Sequence, residues 1–209
     1  MTKKILCVGD SFTYGDELPD PSSQAWPIIL GKMNDWNITN AGKSGSSNER
    51  SIRLVFEEMD NGYDLIIISW TVWSRFEVFH PDFKTPVSLA PRTYELYGAN
   101  WCKEYYGSWY NDEHMYSKML TQIIQMQSYL NSINQKYVFG LVYGDYINPV
   151  HMPLINKIDT SKFVSWPNTF DSIVKSYPRG PNGHPLEDGH IHLATVMNDF
   201  IYSQYPSFK

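Results

Sequence analysis

The chain has 209 residues, 42% of them hydrophobic, enough to bury one sizeable core, so a single domain over residues 1–209 is expected. A formal net charge of −5 with no basic block excludes nucleic acid and an anionic membrane surface as expected partners. Two cysteines, no signal peptide and no apolar run long enough to span a bilayer predict a cytoplasmic setting, no disulfide framework and no metal site.

In chain order, the apolar run Lys4-Ile5-Leu6-Cys7-Val8 predicts a buried strand near 4–9, followed by a helix near 24–34 and a strand near 37–41. Ser46 and Glu49 have capping-box spacing ahead of Ile52, Val55, Phe56 and Met59, which predicts a helix near 47–60; Leu65 to Ile68 predict a strand near 64–69. A helix near 112–133 carries Tyr116, Met119, Leu120, Ile123 and Leu130 on one face. A strand near 136–143 and a helix near 189–203 complete the order. Continuous apolar strands alternating with amphipathic helices imply an α/β fold with a parallel sheet covered on both faces.

The segment from Arg75 to Asn111 is too long for a plain connection and too aromatic for disorder, with Phe76, Phe79, Phe83, Tyr94, Tyr97, Trp101, Tyr105, Tyr106, Trp109 and Tyr110. Two readings stand for it: exposed rings that stack on sugars, or a satellite core or oligomer interface. A second segment, Tyr143 to Thr169, holds Asp145, Tyr146, His151, Asp159 and Trp166 without clear periodicity and is read as another rim. His80, His114 and His151 are isolated and carry no metal-ligand spacing.

Two loops carry chemistry. Gly9-Asp10-Ser11 follows the first strand and puts a hydroxyl at the carboxyl edge of the sheet, where open α/β folds build their sites. Pro181-Asn182-Gly183-His184-Pro185 precedes the last helix and fixes a His on a rigid turn, so Ser11 and His184 form a candidate nucleophile and base. His190 is a second candidate for the base.

These loops resemble the first and last blocks of the SGNH (GDSL-type) hydrolase family, Gly-Asp-Ser after strand one and Asp-x-x-His-Pro before the final helix. The spacing of His184 to Ala194 matches as well. Asn40-Ala41-Gly42-Lys43-Ser44-Gly45-Ser46-Ser47-Asn48 resembles the second block, whose Gly, here Gly45, lends a backbone N–H to the oxyanion. The third block departs: where the family has Gly-x-Asn-Asp, this chain reads Ser69-Trp70-Thr71-Val72, with no Asn. Thr71 takes the Asn position, and Asn48 or Arg75 are further candidate donors. Trp70 and Trp73 are also read as core, and Arg75 as a solvated or paired charge. In the last block Pro181 holds the place of the family's Asp. The third member of the triad is therefore Asn182, or a carboxylate from Asp188, Glu187 and Asp171; Glu187 and Asp188 also read as first-turn helix acids.

The resemblance implies a flavodoxin-like three-layer α/β/α sandwich and a serine esterase of small acyl esters, with an O-acetylated carbohydrate as the substrate class. Ser11, His184 and Asn182 would be catalytic, Gly45, Asn48 and Thr71 would face the oxyanion, and Asp10, Trp70 and Arg75 would face substrate. No cofactor is implied. Two rival functions fit the same fold, a non-catalytic carbohydrate-binding or structural protein and an acyltransferase to a sugar hydroxyl.

Overall fold

The computed structural model describes residues 2–79, 85–91, 100–144 and 149–208. In chain order the elements are β1 (Lys4–Val8), α1 (Ser11–Tyr14), α2 (Pro21–Gln24), α3 (Trp26–Asn34), β2 (Asn37–Asn40), α4 (Asn48–Glu58), β3 (Leu65–Trp70), β4 (Phe76–Val78), β5 (Val87–Leu89), α5 (Asn100–Glu104), α6 (Asp112–Ser132), β6 (Tyr137–Leu141), α7 (Met152–Ile155), α8 (Phe170–Ile173) and α9 (Glu187–Gln204). The long elements expected from the apolar pattern are all present, with ends shifted by at most two residues.

Strands β2, β1, β3 and β6 form a parallel sheet in that order, registered by pairs such as Ile5 with Ile38, Ile5 with Leu65 and Ile68 with Phe139. Because successive side chains leave a strand on opposite faces, the continuous apolar runs build two cores at once. Leu6, Val8, Ile66, Ile68 and Phe139 pack with Val55 of α4 and with Tyr116, Met119, Leu120 and Ile123 of α6. Ile5, Cys7, Leu65, Ile67 and Val138 pack with Trp26 and Leu30 of α3 and with Leu193, Met197 and Ile201 of α9. The result is a three-layer α/β/α sandwich. Cys7 and Cys102 are both buried, and burial pushes the Cys7 thiol well above its ordinary range.

The N-terminus of α4 differs in detail from the expectation. Ser47, not Ser46, is the cap, accepting from Arg50 N at 3.3 Å, and Glu49 pairs with Lys118 at 2.7 Å instead of closing a capping box. In the 75–111 segment the described rings mostly face each other. Phe76 lies 4.8 Å from Tyr105 between ring centres, Tyr106 lies 5.3 Å from Tyr110, and Phe76, Val78, Val87 and Tyr106 pack around Leu89 and Cys102. Phe76, Tyr105, Tyr106 and Tyr110 form a satellite cluster against the β4–β5 hairpin, while Phe79, Trp101 and Trp109 remain exposed. His80, Phe83, Tyr94, Tyr97, Asp145 and Tyr146 lie outside the described residues. Among the described residues no helix is long and apolar enough to cross a membrane, and no three His, Cys, Asp or Glu side chains are grouped to hold a metal ion.

Candidate active site

The sheet delivers Ser11. β1 ends at Val8, and a Cβ on Gly9 would stand 2.3 Å from Thr13 Oγ1 and 2.8 Å from Ser69 Cβ, so only glycine lets the chain turn there. Asp10 caps the short turn that follows, with Oδ1 accepting from Phe12 N at 3.0 Å, and Ser11 is its first residue. Among the described residues the Ser11 hydroxyl has no hydrogen-bond partner, His184 included. Gly45 sits at φ +69°, and an added Cβ there would meet nothing within 4 Å, so its backbone borders open space. Neither the Ser11 nor the Gly45 N–H donates to a described residue.

Most of the side chains expected to complete the oxyanion hole and face substrate are committed inward. Thr71 Oγ1 donates its one hydrogen to Asp10 Oδ2 at 2.5 Å, so that hydrogen is directed into the buried carboxylate. Asn48 accepts from Thr71 N at 2.9 Å through Oδ1 and donates to Thr71 O at 3.1 Å through Nδ2. It therefore holds the end of β3 instead of the oxyanion. Arg75 Nη1 reaches Asp10 Oδ2 and Thr71 Oγ1, both at 3.1 Å, and Ser46 O at 3.3 Å. Asp10 is fully buried within this knot and does not face substrate. Trp70 is fully buried too, edge-on to Phe139 at 5.4 Å, and is core.

His184 comes from a hairpin closed by the Arg179–Pro185 bridge and by Gly180 N to His184 O at 2.9 Å. Arg179 braces it, donating to Asp171 Oδ1 at 2.7 Å and to Gly183 O at 2.8 Å. The hairpin folds back onto the Ser11 segment, where the His184 ring meets Phe12 at 5.9 Å between ring centres. Its Nδ1 lies 2.8 Å from Glu17 Oε2, which also accepts from His184 N at 3.0 Å. Its Nε2 lies 4.0 Å from Asp16 Oδ2, a carboxylate that also accepts from the Ser44 hydroxyl.

Asn182 does not orient His184. Its main-chain N and its Nδ2 both donate to Glu17 Oε1, at 2.8 and 3.3 Å, because an amide nitrogen beside an acceptor-only carboxylate turns toward it. Glu17 was not legible as a site residue in the sequence. Its one signal was indirect: Pro181 stands where the family has Asp, leaving the imidazole to find a carboxylate elsewhere. Burial pushes the Glu17 carboxyl up, but hydrogen bonds from the Asn182 and His184 main chain and the His184 ring outweigh it and hold the group below its ordinary range.

Asp171, Glu187 and Asp188 do not pair with the imidazole. Asp171 pairs with Arg179, Glu187 accepts from Gln24 Nε2 at 3.3 Å, and Asp188 sits in the first turn of α9. His190 is fully buried with Nδ1 accepting from Trp26 N at 3.1 Å, and burial, helped by the charge of His184, pulls it down to about 4. It caps the start of α3 and is not the base. An open hollow of about 500 Å³ bordered by Lys3, Asn34, Trp36 and Phe208 lies at the amino end of β1, the edge opposite Ser11.

Scanned by sequence, the chain matches no family model and no curated protein. Solved structures do match it in fold. A G-D-S-L family lipolytic protein from Desulfitobacterium hafniense DCB-2 superposes with a TM-score of 0.55 at 12% identity, over 95% of this chain and 99% of that one. The acetyl xylan esterase Est2A from Butyrivibrio proteoclasticus gives 0.56 at 15% identity, over 99% of this chain and 65% of its own. A family two carbohydrate esterase from Clostridium thermocellum, solved with cellohexaose, gives 0.55 at 16% identity over the same shares. The chain thus has the α/β/α fold of the SGNH, or G-D-S-L, hydrolases, and it spans about two thirds of the two carbohydrate esterases it resembles.

Proposed function

We propose that this chain is a serine ester hydrolase of small acyl esters, with O-acetylated carbohydrates as its substrate class. One observation carries the reading: the His184 hairpin is clamped onto the segment that bears Ser11, so a hydroxyl and an imidazole share the carboxyl edge of β1 with two backbone N–H groups that donate to no described residue. In this mechanism Ser11 Oγ attacks the ester carbonyl carbon while His184 Nε2 takes the hydroxyl proton. The tetrahedral oxyanion is held by the Ser11 and Gly45 N–H groups. Its collapse breaks the bond to the alkoxy oxygen, which leaves as the alcohol with the proton from His184. Water, deprotonated by the same imidazole, then releases the acid from the acyl-enzyme.

The carbohydrate part of the proposal draws on the acetyl xylan esterase of the same fold and on Tyr14, 44% exposed on the turn that starts with Ser11, whose ring suits stacking on a pyranose. With Thr71 and Asn48 turned inward, two backbone donors carry the oxyanion. Loss of one donor costs on the order of 3 kcal/mol in known cases, so a modest turnover is expected. The test is labelling with a fluorophosphonate, mapped by mass spectrometry, beside acetate release from acetylated xylan. A phosphonate on Ser11 with acetate release supports the reading. No label at Ser11 and no release overturn it in favour of a non-catalytic binding protein.

A further inference from the structure

We propose that Glu17 is the positioning carboxylate of His184, so that the loop which presents the nucleophile also supplies the acid that orients the base. This rests on the esterase reading above and adds to it a residue that the last sequence block does not contain. The carboxylate is saturated: Oε1 accepts from Asn182 N and Nδ2, and Oε2 accepts from His184 N at 3.0 Å and stands 2.8 Å from His184 Nδ1. An ionised carboxylate offers no hydrogen, so Nδ1 carries the proton and Nε2 keeps its lone pair free to accept one. Anchoring the hairpin would need only the main-chain contacts. The ring contact made by the same oxygen ties the orientation of the imidazole to the position of its loop.

The placement is built into the backbone. Glu17 sits at φ +68°, two residues beyond the left-handed Gly15 that ends the Ser11 turn. Opposite it, Gly180 leaves the space that Glu17 fills: a Cβ there would lie 2.5 Å from Glu17 Cδ. Nucleophile and acid thus belong to the one segment 10–17, and only the base arrives from the far end of the chain. The charged groups around the imidazole are Glu17 on Nδ1, Asp16 at 4.0 Å from Nε2, Arg179 through Gly183 O with its partner Asp171, and His190 of α9.

The experiment compares wild type, Ser11→Ala, Glu17→Gln and Glu17→Asp on an aryl acetate across pH, with a thermal melt for each. Glu17→Gln should lower kcat by roughly a hundred- to ten-thousandfold at nearly constant KM. Glu17→Asp should recover part of the rate. In wild type, ¹⁵N-histidine spectra should show His184 protonated at Nδ1, a readout that stands even where a variant fails to fold. A folded Glu17→Gln with wild-type kcat, or a neutral His184 protonated at Nε2, overturns the proposal while leaving the esterase reading intact. Wild-type hydrolysis that survives Ser11→Ala overturns both.

Discussion

Glu17 and Gly180 are in contact across the site, with the glycine where any side chain would strike the Glu17 carboxyl carbon. The contact makes Gly180 a probe of the Glu17–His184 pair that touches neither substrate nor imidazole. Gly180→Ala should displace the carboxylate by an ångström or so and lower kcat roughly a hundredfold, since misplacements of that size carry such penalties. Steady-state kinetics with a melting curve checks it. An unchanged kcat in a folded variant would mean that Glu17 yields without disturbing His184.

The Asp10–Thr71–Arg75 knot leads to a stability prediction. Thr71→Val keeps the shape and removes one donor from a fully buried carboxylate, which should destabilise the fold by about 1–3 kcal/mol and lower the melting midpoint by several degrees. Arg75→Ala removes the ion pair at 3.1 Å and should cost more, about 3–5 kcal/mol. Below its melting range, Thr71→Val should turn over substrate within a few-fold of wild type. A large loss of kcat with an unchanged melt would restore Thr71 to the oxyanion hole.

Legibility in the sequence followed the range of the interactions. Strands β1 and β3 were readable because burial on both faces demands unbroken apolar runs, and α6 because one apolar stripe repeats along it. The turns that carry Ser11, Gly45 and His184 were readable because each has its own local residue signature. What was not legible is pairing between distant side chains. Nothing in the spacing says that Glu17 meets a histidine 167 positions away, or that Thr71 faces Asp10 instead of open space. Trp70 was ambiguous for another reason: its strand runs one residue beyond the expected 64–69, which carries the indole into the core.

His190 links acid stability to burial. Its ordinary value is 6.5 and burial in the fold takes it to about 4, so the unfolded chain binds a proton between those values that the folded chain refuses. Its contribution is therefore complete above about pH 6.5 and is lost as the pH falls toward about 4. A gap of that size corresponds to about 3 kcal/mol. His190→Gln, which keeps an acceptor for Trp26 N, should be less stable than wild type at pH 7.5 yet lose less stability on going to pH 4.5. Urea midpoints at the two pH values test this, and equal losses in both proteins would refute it.

The roles of Ser11 and Asn182 separate in a final comparison. Ser11→Ala removes the attacking atom and should abolish aryl acetate hydrolysis, because nucleophile and base act as a unit and loss of either forfeits nearly the whole chemical acceleration. Asn182→Ala removes only the 3.3 Å contact of Nδ2 with Glu17 Oε1, while the main-chain N–H of residue 182 remains 2.8 Å from the same oxygen. One modest hydrogen bond of two is worth about 1 kcal/mol, so the variant should keep activity within roughly fivefold of wild type. Asp188→Ala, in the first turn of α9, should behave like wild type. If Asn182→Ala proved as damaging as Ser11→Ala, the amide itself would be orienting His184 and the carboxylate of Glu17 would be no more than an anchor for the loop. If Asp188→Ala were the crippling change, the acid would lie after the histidine, and the hairpin would have to turn the imidazole away from Glu17 during turnover.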